Sequence, residues 1–146
     1  MKTMLLLLAA AALCAAPAHA QKMTAAQVPA AATAAFAKAF PGVKKAEWER
    51  EDGQYEAGFT QNGQEMSVLL SPAGELLETE TELRPAQLPA PVREALATRH
   101  RAAKVTEAAK IVTHKTGAVT YEAEVSEGGQ RRDLLFGADG QEVAKP

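Results

Sequence analysis

The sequence predicts an α+β fold: a helix followed by about four antiparallel strands, used twice, with both units joined in one curved antiparallel sheet that carries the two helices on one face. Three observations predict it. Apolar and polar residues alternate in short runs, as in strands with one face covered and one wet. Asp52-Gly53 and Asn62-Gly63 separate such runs, as tight hairpins require. The whole order then returns. Val28-Pro29-Ala30 reappears as Leu88-Pro89-Ala90, 60 residues on, and Tyr55-Glu56-Ala57 as Tyr121-Glu122-Ala123, 66 residues on. The second offset also relates Gly63 to Gly129, Leu69-Leu70 to Leu135-Phe136, and Gly74 to Gly140. The second unit therefore holds six extra residues, around 111–116.

Taken in order, residues 1–20 read as a cleavable signal peptide. Lys2 supplies a positive start, residues 4–16 an apolar run too short for an ordinary membrane span, and Ala18-His19-Ala20 a small-x-small cleavage pattern. Cys14, the one cysteine, lies inside it. A lipoprotein would need a small residue before that cysteine, and Leu13 stands there. Residues 21–27 are expected to be a mobile lead-in.

The first unit is placed at 28–83. Pro29 suits a first helical turn, Ala32, Ala35, Phe36, Ala39 and Phe40 share a helical face, and Pro41-Gly42 ends it. Residues 44–51 read as a strand with Ala46 and Trp48 inward. Tyr55, Ala57 and Phe59 point inward on the next, and Met66, Val68 and Leu70 on the third. The fourth, 75–81, sets Leu77, Thr79 and Thr81 against Leu76, Glu78 and Glu80. Residues 84–87 are expected to link this unit to the second, 88–146. There a helix over 89–100 precedes strands at 103–113 and 119–125. A further strand points Arg132, Leu134 and Phe136 inward, with Arg132 near an edge. A short last strand ends near Val143.

Composition narrows the function. Cleavage after Ala20 leaves no cysteine, hence no disulfide or thiol chemistry. It leaves 15 basic and 18 acidic residues, which argues against a nucleic-acid partner. Residues 24–83 hold four basic and ten acidic residues, whereas residues 84–146 hold ten and eight. The mature histidines, His100 and His114, lack partners at metal-ligand spacing. Ser67, Ser71 and Ser126 have neither a nucleophile elbow nor a neighbouring histidine. No glycine-rich phosphate loop occurs. The expectation is a protein that is not an enzyme, with no catalytic, cofactor-binding or metal-ligating residue.

Two features remain. Trp48 falls on the covered face by alternation, which makes it a core anchor rather than a binding hot spot. Glu47, Glu49 and Glu51 line the wet face of one strand, with Glu56, Glu78 and Glu80 near and Glu122 and Glu124 matching in the second unit. Such a stripe keeps a surface soluble and protects strand edges; it also suits a docking surface. The candidate partner-binding residues are Glu47, Glu49, Glu56, Glu122 and Glu124, facing an extracytoplasmic protein or peptide. The alternative is a small-ligand or divalent-cation sensor using the same stripe.

The order helix, Lys44-Lys45-x-Glu47-Trp48 strand, Asp52-Gly53 turn, Tyr55-Glu56-Ala57 strand, Asn62-Gly63 turn, Val68-Leu69-Leu70 strand, Gly74 turn and Glu78-Thr79-Glu80 strand resembles the PepSY-like family. Its members are small exported proteins of Gram-negative bacteria, described as beta-lactamase-inhibitor-like. The resemblance covers nearly the whole mature chain. It implies tandem helix-plus-sheet units in one curved sheet, and it transfers no site residue. The secreted inhibitor has disulfides, which this mature chain cannot form, so inhibitory activity is not carried over.

Overall fold

The computed structural model describes residues 21–144. The expected signal peptide lies outside the described residues. Within them, nine strands form one antiparallel sheet whose order in space is the order in sequence. They are β1 (Gln21–Met23), β2 (Glu47–Glu51), β3 (Gln54–Gln61), β4 (Gln64–Leu70), β5 (Leu76–Leu83), β6 (Lys104–Thr113), β7 (Ala118–Glu127), β8 (Gln130–Phe136) and β9 (Glu142–Val143). Helix α1 (Ala30–Ala39) joins β1 to β2, and α2 (Ala90–Arg99) joins β5 to β6. The Asp-Gly and Asn-Gly hairpins form where expected. Asp52 and Asn62 take φ of 48° and 53°, followed by Gly53 at 80° and Gly63 at 76°, the paired positive values of a hairpin turn.

Each helix covers its own set of strands. Ala32 and Phe36 of α1 pack on Trp48, Tyr55, Ala57, Phe59, Val68 and Leu70. Phe36 meets Trp48 and Phe59 edge-on, at ring separations of 5.4 and 5.2 Å, the arrangement aromatic quadrupoles favour. Trp48 is thus a core residue. In the second half Val92, Ala95 and Leu96 of α2 pack on Ala108, Ala123, Val125, Leu134 and Phe136. The register line Met66–Thr81–Lys110–Tyr121–Phe136 runs from one core to the other. Register partners share a side of a sheet, so both helices lie on the same face.

Three expectations need correction. Residues 21–27, expected to be mobile, form β1 and a 3-10 turn. Met23 pairs with Trp48 and packs on the first core. The turn is closed by Gln27, whose side-chain oxygen accepts the Thr24 amide at 2.8 Å. The expected linker 84–87 is the same device: the Arg84 amide donates to the Gln87 side chain at 2.9 Å. Each helix is therefore entered from a strand through a glutamine-closed turn.

The third correction concerns β5. Leu69 pairs with Glu78 but Leu70 pairs with Leu76, leaving Leu77 as the extra residue of a bulge. The bulge turns Leu76 onto the first core and leaves Leu77 on the opposite face, the reverse of simple alternation. Tyr121 also differs from Tyr55. Tyr55 is buried, whereas Tyr121 is half-buried beside the second core. Arg132 sits exposed at the rim as expected, with Nη2 3.4 Å from His100 Nδ1.

Two glycines press the loops after β4 and β8 onto the helix starts. Gly74 and Gly140 have φ of 85° and 81°. An added Cβ would lie 2.5 Å from the carbonyl oxygen of Ala31 or Pro91, respectively. Gly128 has φ of 58° with nothing within 4 Å of such a Cβ. Gly74→Ala and Gly140→Ala should each cost about 2–3 kcal/mol, above the roughly 1–2 kcal/mol of left-handed backbone alone expected for Gly128→Ala. Denaturant melts of the three variants check this, and equal losses would contradict it.

Candidate functional site

The face away from the helices is built by both halves. The partners Glu49 with Glu56, Glu80 with Ile111, and Glu122 with Leu135 all project there. A cleft of about 690 Å³ crosses it, lined by residues from β2 through β9. Its apolar part is Leu69, Leu77, Ile111, Leu135 and Val143. Leu69, Leu77 and Ile111 are half-buried, and Val143 is 40% exposed. Leu135 and Ala109 are buried yet belong to neither helix-covered core.

Beside the apolar part lies a second cleft of about 230 Å³ with Ser67, Ala108 and Ala109 in its lining. Seven glutamates surround it: Glu56, Glu65, Glu80, Glu82, Glu107, Glu122 and Glu124. Small residues in the lining leave room above the strands, and the long glutamates rise around it. Glu56, Ser67, Glu80 and Glu122 line both clefts and form the boundary between them.

Of the residues singled out from sequence, Glu56, Glu122 and Glu124 come together at the small cleft. Glu49 stands directly opposite Glu56 on the neighbouring strand. Glu47 pairs with Gly58 near the sheet edge and lines a different cleft beside Lys44 and Lys45. Sequence reasoning missed Glu65, Glu82 and Glu107, and it missed the apolar row. A signal for the row was present: in the doublets Leu69-Leu70 and Leu135-Phe136, a strand can turn only one of two adjacent residues toward the helices.

Like charges meet on this face. Glu124 pairs across the ladder with Glu107 on one side and Asp133 on the other. Its carboxylate accepts hydrogen bonds from Thr106 Oγ1 at 2.5 Å and Arg131 Nη1 at 3.1 Å. Glu49 faces Glu56, with Lys22 as its partner on β1. Directly opposed like charges destabilise a sheet. Basic strand residues divide between the faces: Arg50, Lys110 and Arg132 pair with the core-side neighbours Tyr55, Tyr121 and Val125, whereas Lys22 pairs with Glu49, and Lys104 and Arg131 pair with Ser126, on the open face.

Other chemistry is sparse. His100 Nε2 lies 3.1 Å from Glu142 Oε2, and His114 Nε2 lies 2.7 Å from Thr79 Oγ1. The Ser71 hydroxyl accepts the Glu75 amide, closing a turn. Among the described residues no group of three or more His, Cys, Asp or Glu is arranged to hold a metal ion. No helix among them is long and apolar enough to cross a membrane.

Comparison with known proteins places the fold. No protein-family model matches the chain, and no curated protein matches it. Solved structures do. A DUF2874 family protein from Bacteroides uniformis is similar, at 21% identity and TM-score 0.72, over 80% of this chain and 86% of that one. A protein of Bacteroides eggerthii described as periplasmic matches at 20% identity and TM-score 0.72, over 80% and 86%. A BLIP-like protein from Bacteroides fragilis matches at 24% identity and TM-score 0.66, over 78% and 82%. At these identities the likeness establishes a shared fold, the BLIP-like sheet with two helices.

The opposed carboxylates predict an unusual salt response. Raising ionic strength from low to moderate should screen the repulsion and raise Tm by about 2–5 °C. Glu107→Lys, which gives Glu124 an opposite charge across the ladder, should add roughly 0.2–1 kcal/mol. Calorimetry at two salt concentrations checks both; a Tm that falls with salt would contradict them.

Proposed function

We propose that this chain is a non-enzymatic, extracytoplasmic binding module of the PepSY-like kind, which presents its open acidic sheet face to a protein or peptide. The reading includes export by the signal peptide at 1–20 and a tandem duplication of the helix-and-sheet unit. The repeated glutamine-closed turns and the paired glycines at 74 and 140 support the duplication. The described similarity to a periplasmic protein agrees with export. The observation that bears most on function is the open face itself. Both halves contribute carboxylates to one uninterrupted surface, on the side that no helix covers.

The candidate contacts are Glu49, Glu56, Glu122 and Glu124, with Glu47 toward the edge. They act through charge and position. Glu47 is exposed and the other four are half-buried; carboxylates at a surface steer a basic partner into encounter and fix its register more than they add affinity.

The test is capture from a periplasmic extract by the immobilised chain beginning at Gln21, against a Glu56→Gln, Glu122→Gln, Glu124→Gln variant. Each exposed pair is worth about 0.2–1 kcal/mol, so the triple change should weaken capture roughly threefold or more, with the largest difference at low salt. The variant should melt at or above the parent's temperature. If the variant captures equally well and melts earlier, these glutamates serve the fold and the reading is wrong.

A further inference from the structure

We propose that the occupant of the open face is a cationic amphipathic helix, with apolar side chains along one side and lysines or arginines along one flank. This rests on the reading of the open face as a docking surface and names the partner's chemistry. The first observation is the apolar row. A sheet face turned to water is ordinarily polar, yet this one carries Leu69, Leu77, Ile111, Leu135 and Val143 in a single cleft. The bulge in β5 directs Leu77 there instead of into the core, and bulges characteristically re-aim side chains.

The second observation is where the charge lies relative to that row. Glu56, Glu80 and Glu122 border the row and also line the acidic cleft on its far side. The remaining border mixes Glu51, Asp52 and Glu78 with Gln54, Thr113, Lys115 and Thr120. The seven glutamates of the acidic cleft outweigh the three acidic residues and one lysine of the remaining border, so a complementary ligand is most basic along the flank that faces that cleft. Anionic polymers and surfaces are repelled by the same arrangement.

The dimensions suit a helix. The row crosses from β4 to β9, five strand spacings or about 24 Å, which is the length of a helix of about 16 residues. One helical turn advances about 5.4 Å, close to the roughly 4.8 Å between strands. Apolar residues one turn apart would then meet successive strands.

The probe is a synthetic Leu/Lys peptide of about 16 residues, with leucines at i, i+3, i+4 and i+7 spacing and lysines on one flank. Binding to the chain beginning at Gln21 is followed by calorimetry. Comparators are the same composition in scrambled order and a peptide with every Lys replaced by Glu. The amphipathic Lys peptide should bind about tenfold or more tighter than the scramble, and the Glu peptide should not bind. Ile111→Thr should weaken binding about tenfold by removing apolar contact, while Glu80→Gln with Glu122→Gln should reduce its salt dependence. Equal binding of the Glu peptide, or no effect of Ile111→Thr in a variant with unchanged Tm, would overturn the proposal. So would a concentration-dependent dimer of the chain alone, seen in sedimentation and abolished by Ile111→Thr, since a second copy would then be the occupant. If no peptide binds while extract capture still depends on Glu56, Glu122 and Glu124, the docking face stands and this partner chemistry falls. If neither binding nor capture responds to changes on the face, both readings fall.

Discussion

The pairing of β5 with β6 is the interaction on which the rest of the structure depends. Strand β5 belongs to both cores: Leu76 at its start packs with the first, and Leu83 at its end packs with the second. Between the cores, on the helix side, the β5–β6 partners are Thr79 with Val112 and Thr81 with Lys110, and Thr79 also meets His114. That seam is largely polar. The halves are held together there chiefly by ladder hydrogen bonds from Glu78–Thr113 to Leu83–Ala108, and much less by a shared apolar interior. Backbone bonds of this kind contribute modestly one by one, but a run of them fixes register, and a one-residue slip would invert every side chain of the second half.

Because that register holds, the two open faces merge into one. Glu80 and Glu82 of β5 stand beside Ile111 and Ala109 of β6, so the acidic cleft and the apolar row both cross the junction. Neither half alone presents the whole surface. The core side follows a different logic. There Phe36, Phe40, Trp48 and Phe59 form an aromatic cluster in the first half, while the second relies on aliphatic residues and Phe136. The two cores differ in content, while the shared face carries acidic residues from both halves.

Much of the architecture was legible because hairpin chemistry is local. Asp52-Gly53 and Asn62-Gly63 need positive φ, and alternation around them assigned Tyr55, Ala57, Phe59, Val68 and Leu70 to the core, where they lie. What was not legible depends on pairing between distant segments. Strand β1 is three residues long and has no pattern of its own; it exists because β2 offers an edge. A clue lay in Ala26-Gln27 and Ala86-Gln87, the same pair of residues 60 positions apart, one in the expected lead-in and one in the expected linker. The bulge at Leu77 follows from how β4 and β5 fit, which alternation along one strand does not report. For the site, the carboxylates were visible as outward residues, but Glu65, Glu82 and Glu107 join them only through the order of the strands.

The central claim is that the two halves present one continuous binding surface across the β5–β6 junction. Amide-resolved NMR titration with the amphipathic Lys peptide tests it most directly. The account predicts that resonances of Leu69, Glu80, Ile111, Glu122 and Leu135 shift together and follow a single Kd, while those of α1 and α2 stay in place. Shifts confined to one half, or centred on the helices, would contradict it.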